Sequence, residues 1–136
     1  HIGQRQATVI LRGSTEEEVY LWSETYDLCV AKEAWLRVLV GSRPHGVQTW
    51  LSAEAYNQGE RLTTLAPNIV NSDVFICGPT PWTELVIRDA RRAGVPEHRI
   101  HAERFDFYES TKCIFCRRRF GRHFGRRLAS RSGRAQ

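Results

Sequence analysis

The chain has 136 residues, of which 41% are hydrophobic and 26% charged, as expected of one ordinary globular domain. No apolar run is long enough for a transmembrane helix, and the polar start lacks the apolar core of a signal peptide. The formal net charge of +5 is unevenly spread, because residues 108–136 carry nine Lys or Arg and one acid, whereas residues 1–107 carry 11 basic and 14 acidic residues. This asymmetry predicts a globular part over 1–107 and a basic, disordered tail over 108–136.

Short apolar runs alternate with helical patterns along the globular part. The β-branched run at residues 7–11 predicts a buried strand, and residues 35–40 predict a second one. Between them, Ser14 and Glu17 form a capping-box pattern with an acidic first turn. This pattern predicts a helix from about Thr15 to Ala31.

The second half of the globular part repeats this alternation. Ser52 predicts the N-cap of a short helix, and residues 73–77 form a third strand with the wholly apolar centre of a parallel strand covered on both faces. A helix follows, with Thr80 as its predicted N-cap and Gly94 at its C-terminal end, and residues 99–107 form a fourth strand. Strands that alternate with helices predict an α/β fold with a parallel sheet.

Three short motifs follow the second, third and fourth strands or lie in them. They are Ser42-Arg43-Pro44, Cys77-Gly78-Pro79 and Glu103-Arg104-Phe105. With the surrounding pattern they resemble the nucleotide-binding half of the ferredoxin–NADP reductase family, in particular its oxygenase-reductase and ferric-reductase-like branches, over about residues 7–107. The chain contains neither the Gly-rich turn nor the flavin-binding Arg-x-Tyr-Ser/Thr motif of that family.

The resemblance implies a partial Rossmann-like parallel sheet that lacks the first strand and helix of the family. In the family that first strand is central. The first two strands are therefore expected to pair on one side of the centre and the last two on the other side, across a vacancy. We expect a piece of a larger flavoprotein that is poorly stable and inactive alone.

The resemblance also implies that NADP or NAD binds across the strand ends and passes hydride to FAD in a domain outside this chain, with an iron–sulfur, haem or ferric acceptor beyond it. It gives catalytic roles to Cys77, beside the nicotinamide, and to Glu103. The implied cofactor-binding residues are Arg12, Ser42, Arg43, Trp50, Cys77, Gly78, Pro79 and Phe105.

Each of these positions also has a purely structural interpretation. Arg12 and Arg43 could be solvated surface residues, and Trp50 could belong to the core instead of stacking on adenine. Cys77 could be a buried structural cysteine, and residues 103–107 an ordinary strand.

The remaining features give alternatives outside this family. Cys113-x-x-Cys116 could be a redox dithiol or half of a zinc site, but only His123 is nearby, and no metal is expected. The basic tail could bind nucleic acid or a membrane surface through charge and stacking, and the chain could also be an inactive remnant. We expect no specific nucleic acid and no membrane segment. The modest number of cysteines predicts a location in the cytoplasm, or on the cytoplasmic side of a membrane-attached parent protein.

Overall fold

The structure, a computed structural model, describes residues 7–19, 27, 34–105 and 112–119. Its strands are β1 (Ala7–Gly13), β2 (Trp35–Val40), β3 (Ser72–Pro79), β4 (Ile100–Phe105) and β5 (Lys112–Arg118). Its α-helices are α1 (Ala53–Asn57), α2 (Leu62–Leu65) and α3 (Thr80–Arg92), with 3-10 turns at Glu16–Val19, Ile69–Asn71 and Glu97–Arg99. The predicted α/β fold is confirmed. None of the described helices has the length and apolar character needed to cross a bilayer.

The five strands form one mixed sheet in the order β2-β1-β5-β3-β4. β1 is parallel to β2, and β3 is parallel to β4. β5 lies between the two pairs and is antiparallel to both β1 and β3. The predicted pairing on either side of a central position is therefore confirmed, but the centre is filled.

The strand at the centre comes from the segment that the charge pattern assigns to a disordered tail. That prediction is wrong for residues 112–118, and the expected all-parallel sheet is wrong for the same strand. The physical reason is the apolar run of residues 113–116 inside the segment, which the average charge hides. Ile114 is fully buried and Cys116 is 3% exposed, so β5 supplies apolar side chains to the core, whereas residues 120–136 lie outside the described part.

The sheet has a different apolar cluster on each face. The larger one lies between the sheet and the segments that contain α1, α2 and α3, and it includes Ile10, Trp50, Ile76, Val86 and Ile114. A smaller cluster on the opposite face is built around Ala7, Val9, Leu11 and Ala34. Alternate residues of β1, β3 and β5 therefore serve opposite faces, as the pleat of a strand requires.

Local signals place α1 and α3 within one residue of the prediction, whereas α2 was not predicted. The Ser52 hydroxyl accepts from the Ala55 N–H at 3.3 Å, which confirms it as the N-cap of α1. For α3 the N-cap is Pro79 instead of Thr80, while Gly94 adopts φ 99° just beyond the C-terminal end. Within the range predicted as a helix, Thr15 to Ala31, Glu16–Val19 form a 3-10 turn and Asp27 is helical, and residues 20–26 and 28–31 lie outside the described part.

Candidate functional site

The carboxyl ends of β1, β2, β3 and β4 meet at one edge of the sheet, here called the carboxyl edge. Open α/β sheets bind their ligands at this edge. Because β5 is antiparallel, its first residue, Lys112, also reaches the carboxyl edge, where it pairs with Arg12. Ser42, Arg43, Gly78 and Pro79 belong to the same edge, so the fold brings most of the predicted site residues to one side of the sheet.

The two residues predicted to be catalytic face each other on neighbouring strands. Cys77 of β3 is in register with Glu103 of β4, and the Cys77 Sγ lies 4.0 Å from the Glu103 Oε1. Burial raises the pKa of the Cys77 thiol, and the nearby Glu103 carboxylate raises it further. Cys77 therefore presents a mainly neutral thiol at neutral pH, and its thiolate forms more readily as the pH rises.

Gly78 is required by the packing of the protein itself. A Cβ at this position would lie 2.7 Å from the Trp82 Cε3 and 3.5 Å from the Lys112 Cγ. The ring that approaches this glycine closely is thus the indole of Trp82 on α3. Pro79, with φ −62° and ψ 151°, then directs the chain into α3.

Ser42 and Arg43 are exposed at the end of β2. Their loop is held by backbone hydrogen bonds, from the Gly41 N–H to the Gly13 carbonyl at 3.0 Å and from the Ala53 N–H to the Ser42 carbonyl at 2.8 Å. A fixed backbone with exposed side chains leaves the hydroxyl and the guanidinium able to bind a phosphate or a ribose.

Arg12 has a structural role in this conformation. It is only 4% exposed, and its guanidinium donates to the Trp50 carbonyl at 2.8 Å and to the Gly13 carbonyl at 2.6 Å. These carbonyls satisfy donors that would otherwise be costly to bury. The guanidinium is therefore turned inward and not toward a ligand phosphate.

Trp50 belongs to the core, as its structural alternative predicts. Its ring is fully buried, and its Nε1 donates to the Asp89 Oδ2 at 2.8 Å. It meets Trp82 edge to face, with ring centroids 6.2 Å apart. No adenine can stack on Trp50 without opening the core.

Phe105 ends β4 in register with Pro79, and its side chain is outside the described part. Sequence reasoning missed two residues of β5: Lys112 beside Gly78, and Cys113, which pairs with Cys77. The signal that could have revealed them is the short apolar run of residues 113–116 between basic residues, which is consistent with a buried strand.

The Cys113-x-x-Cys116 motif forms neither of the sites proposed for it. Residues three apart on a strand point to opposite faces, and accordingly Cys116 is buried in the larger core while Cys113 lies with the smaller cluster. Across residues 7–19, 27, 34–105 and 112–119, no group of three or more His, Cys, Asp or Glu side chains could hold a metal ion.

A shallow depression also exists at the opposite edge of the sheet. Its lining includes Ala7, Ser72 and Arg118, so it lies away from the strand ends that carry the predicted site.

No protein-family model, no curated protein and no solved structure matches this chain. The residues of the carboxyl edge and their geometry are therefore the basis for a function.

Proposed function

We propose that this chain is the nicotinamide-nucleotide-binding module of a ferredoxin–NADP reductase-like flavoprotein. The observation that carries the proposal is the strand order. After β1 the chain adds β2 on one side of the centre, and it then crosses over to add β3 and β4 on the other side. Open α/β sheets bind nucleotides at such a reversal, beyond the carboxyl ends of the strands. Four parallel strands about one central position are also consistent with the partial Rossmann-like arrangement that the family resemblance implies.

The proposed ligand lies along the carboxyl edge. Arg43 and Ser42 at the end of β2 contact the adenosine end of the nucleotide, where a guanidinium recognises the 2′-phosphate of NADP by paired hydrogen bonds. Cys77 and Glu103, on β3 and β4, contact the nicotinamide end. The order of these residues across the sheet matches the extended shape of a dinucleotide.

The reaction proposed for the parent protein is hydride transfer from the nicotinamide to FAD, which a domain outside this chain would hold. The flavin supplies the redox chemistry. The contribution of this chain is to bind and orient the nucleotide. A neutral Cys77 thiol suits contact with an uncharged reduced nicotinamide ring, because it brings no charge into the site.

Two features of the fold limit the affinity that this chain can have alone. β5 occupies the central position without a Gly-rich turn, so backbone N–H groups of such a turn are not there to receive the pyrophosphate. Trp82 already fills the space above Gly78. Arg12 and Trp50 are used within the core, which leaves Ser42, Arg43, Cys77 and Glu103 as the predicted residues that can make polar contacts with the nucleotide.

A ligand-observed NMR titration of the whole chain with NADPH and NADH tests the proposal. We expect NADPH to bind weakly, in about the millimolar range that corresponds to roughly −4 kcal/mol, and NADH to bind more weakly because it lacks the 2′-phosphate. Arg43→Ala should weaken NADPH by about 10- to 150-fold, the equivalent of a charge-assisted hydrogen bond, and should change NADH little.

Arg92→Ala is the matched control, since Arg92 is an exposed arginine at the opposite end of α3. It should leave both affinities unchanged. Equal losses of NADPH and NADH in Arg43→Ala would refute the assignment of the 2′-phosphate, and no detectable binding of either nucleotide would refute the function. Binding by the basic tail stays a prediction, since residues 120–136 lie outside the described part.

A further inference from the structure

The sheet places two cysteines directly opposite each other on antiparallel strands. Cys77 of β3 is in register with Cys113 of β5. No disulfide joins Cys77, Cys113 or Cys116 in the structure. Cys77 and Cys113 are both half-buried, whereas Cys116 is buried in the larger core.

The two side chains project from the same face of the sheet. Two positions along, on that face, Phe75 and Phe115 are paired by the same register, and their ring centroids lie 6.0 Å apart. This contact shows that cross-strand neighbours on the face approach each other closely. On the other flank of Cys77 the Glu103 carboxylate lies 4.0 Å from the Sγ, so the thiol is bordered by Cys113 on one side and by Glu103 on the other.

Strand geometry makes this pair compatible with a covalent bond. Opposed residues in an antiparallel pair have Cα atoms about 4.5 or 5.5 Å apart, and disulfides span Cα separations of about 4.4–6.8 Å. Either type of opposed pair therefore falls within the range. Cys113 and Cys116, in contrast, point to opposite faces of β5, and a bond between them would require β5 to leave the sheet.

We propose that Cys77 and Cys113 form a reversible redox site, in which a cross-strand disulfide fixes β5 to β3. The oxidant is a low-molecular-weight disulfide such as oxidised glutathione. One cysteine, as its thiolate, attacks the glutathione disulfide, forms a mixed disulfide and releases one reduced glutathione. The second cysteine then attacks the protein sulfur of that mixed disulfide, the protein disulfide forms and a second reduced glutathione leaves. Two protein thiols are oxidised, and one glutathione disulfide is reduced to two thiols.

This site does not depend on the proposed nucleotide binding. If that function holds, the bond would also remove the thiol expected beside the nicotinamide. Oxidation would then make nucleotide binding at the carboxyl edge depend on the redox state of the surroundings.

The test uses the whole chain with Cys29→Ser, so that only the three cysteines of the described part can react. The folded protein is treated with oxidised glutathione, digested without reductant and analysed by mass spectrometry. Trypsin leaves Cys113 and Cys116 in one peptide, so a second cleavage after Phe115 is needed to separate them. We expect a Cys77–Cys113 link with the mass loss of two hydrogen atoms, and its reversal by dithiothreitol.

Variants on this background identify the pair. The link should persist in Cys116→Ala and should be absent in Cys77→Ser and in Cys113→Ser. In the protein that keeps both Cys77 and Cys113, oxidation should raise the melting temperature by up to roughly 10 °C, because the disulfide closes a loop in the unfolded chain.

The same oxidation in concentrated urea is the control, because the unfolded chain has no strand register to select one pair of cysteines. In urea all three disulfides possible among Cys77, Cys113 and Cys116 should form, whereas the folded chain should form one. A folded chain that links Cys113 to Cys116, or that gives only separate glutathione adducts, would overturn the proposal. If a serine variant at Cys77 or Cys113 fails to fold, the alanine variant at the same position replaces it. The comparison with urea keeps both cysteines and so does not depend on these variants.

Discussion

The burial of Ile114 makes a quantitative test of the central strand possible. Ile114→Ala removes three methyl or methylene groups from a side chain that is fully buried between Ile10 and Ile76. At about 0.8 kcal/mol per buried group the lost transfer free energy is roughly 2.4 kcal/mol. The cavity left behind adds a further term, which gives about 3–4 kcal/mol, within the range of about 2–5 kcal/mol found for such substitutions. This is a large part of the roughly 5–15 kcal/mol that stabilises a whole domain.

Urea unfolding followed by tryptophan fluorescence measures this loss, because Trp50 and Trp82 both lie in the larger core. Val70→Ala is the matched control, since Val70 is a β-branched aliphatic residue that is 44% exposed. It should change the free energy of unfolding by no more than about 0.5 kcal/mol. If Ile114→Ala has as small an effect as Val70→Ala, β5 is not part of the core and the segment is a tail after all.

Three further predictions concern the same sheet. Gly78→Ala should destabilise the protein by about 1–3 kcal/mol through overpacking against Trp82; a calorimetric melt that is unchanged would contradict this. Glu103→Gln should lower the pKa of Cys77, since it removes the carboxylate that opposes the thiolate while leaving the larger effect of burial. The pH profile of iodoacetamide labelling should shift to lower pH, and an unshifted profile would exclude an electrostatic effect of Glu103. Burial raises the pKa of Cys116 to about 12, so above about pH 9 the thiol ionises in the unfolded chain first, and the free energy of unfolding falls by about 1.4 kcal/mol per pH unit. Cys116→Ala should reduce this alkaline slope in urea titrations, and an equal slope in both proteins would show that other groups cause it.

The sequence was sufficient for the elements with strong local signals. The β-branched runs of β1 and β2 and the apolar centre of β3 predict strands because such residues favour a pleated, buried surface. The helix α3 is bounded by a proline at its start and by Gly94 at its end, which are local signals of helix termini. These residues determine structure through their own backbone preferences, and so they could be interpreted without tertiary information.

Long-range contacts could not be predicted in the same way. In the sequence Arg12 is an ordinary charged residue at a strand end. Its buried role depends on a hydrogen bond from its guanidinium to the Trp50 carbonyl, 38 positions away. The position of Trp50 in the core depends in the same way on distant residues, Asp89 through a hydrogen bond and Trp82 through a ring contact. In β5, basic residues surround a short run of apolar ones, and an average over the tail hides the run. Its pairing with β1 and β3 is specified by the gap between those strands and not by its own composition.

The strand order has a consequence for how the protein folds. The pair Arg12 and Lys112 joins positions a hundred residues apart, and contacts of such separation slow folding because a long loop must close first. At about 5–20 residues per second, roughly 2–8 s of synthesis separate the completion of β3 from that of β5. During this interval β1 and β3 have no strand between them, and each exposes backbone groups that can pair with another chain. The nascent protein is therefore most vulnerable to aggregation just before its central strand is made, and a chaperone that covers these two edges would act within that interval.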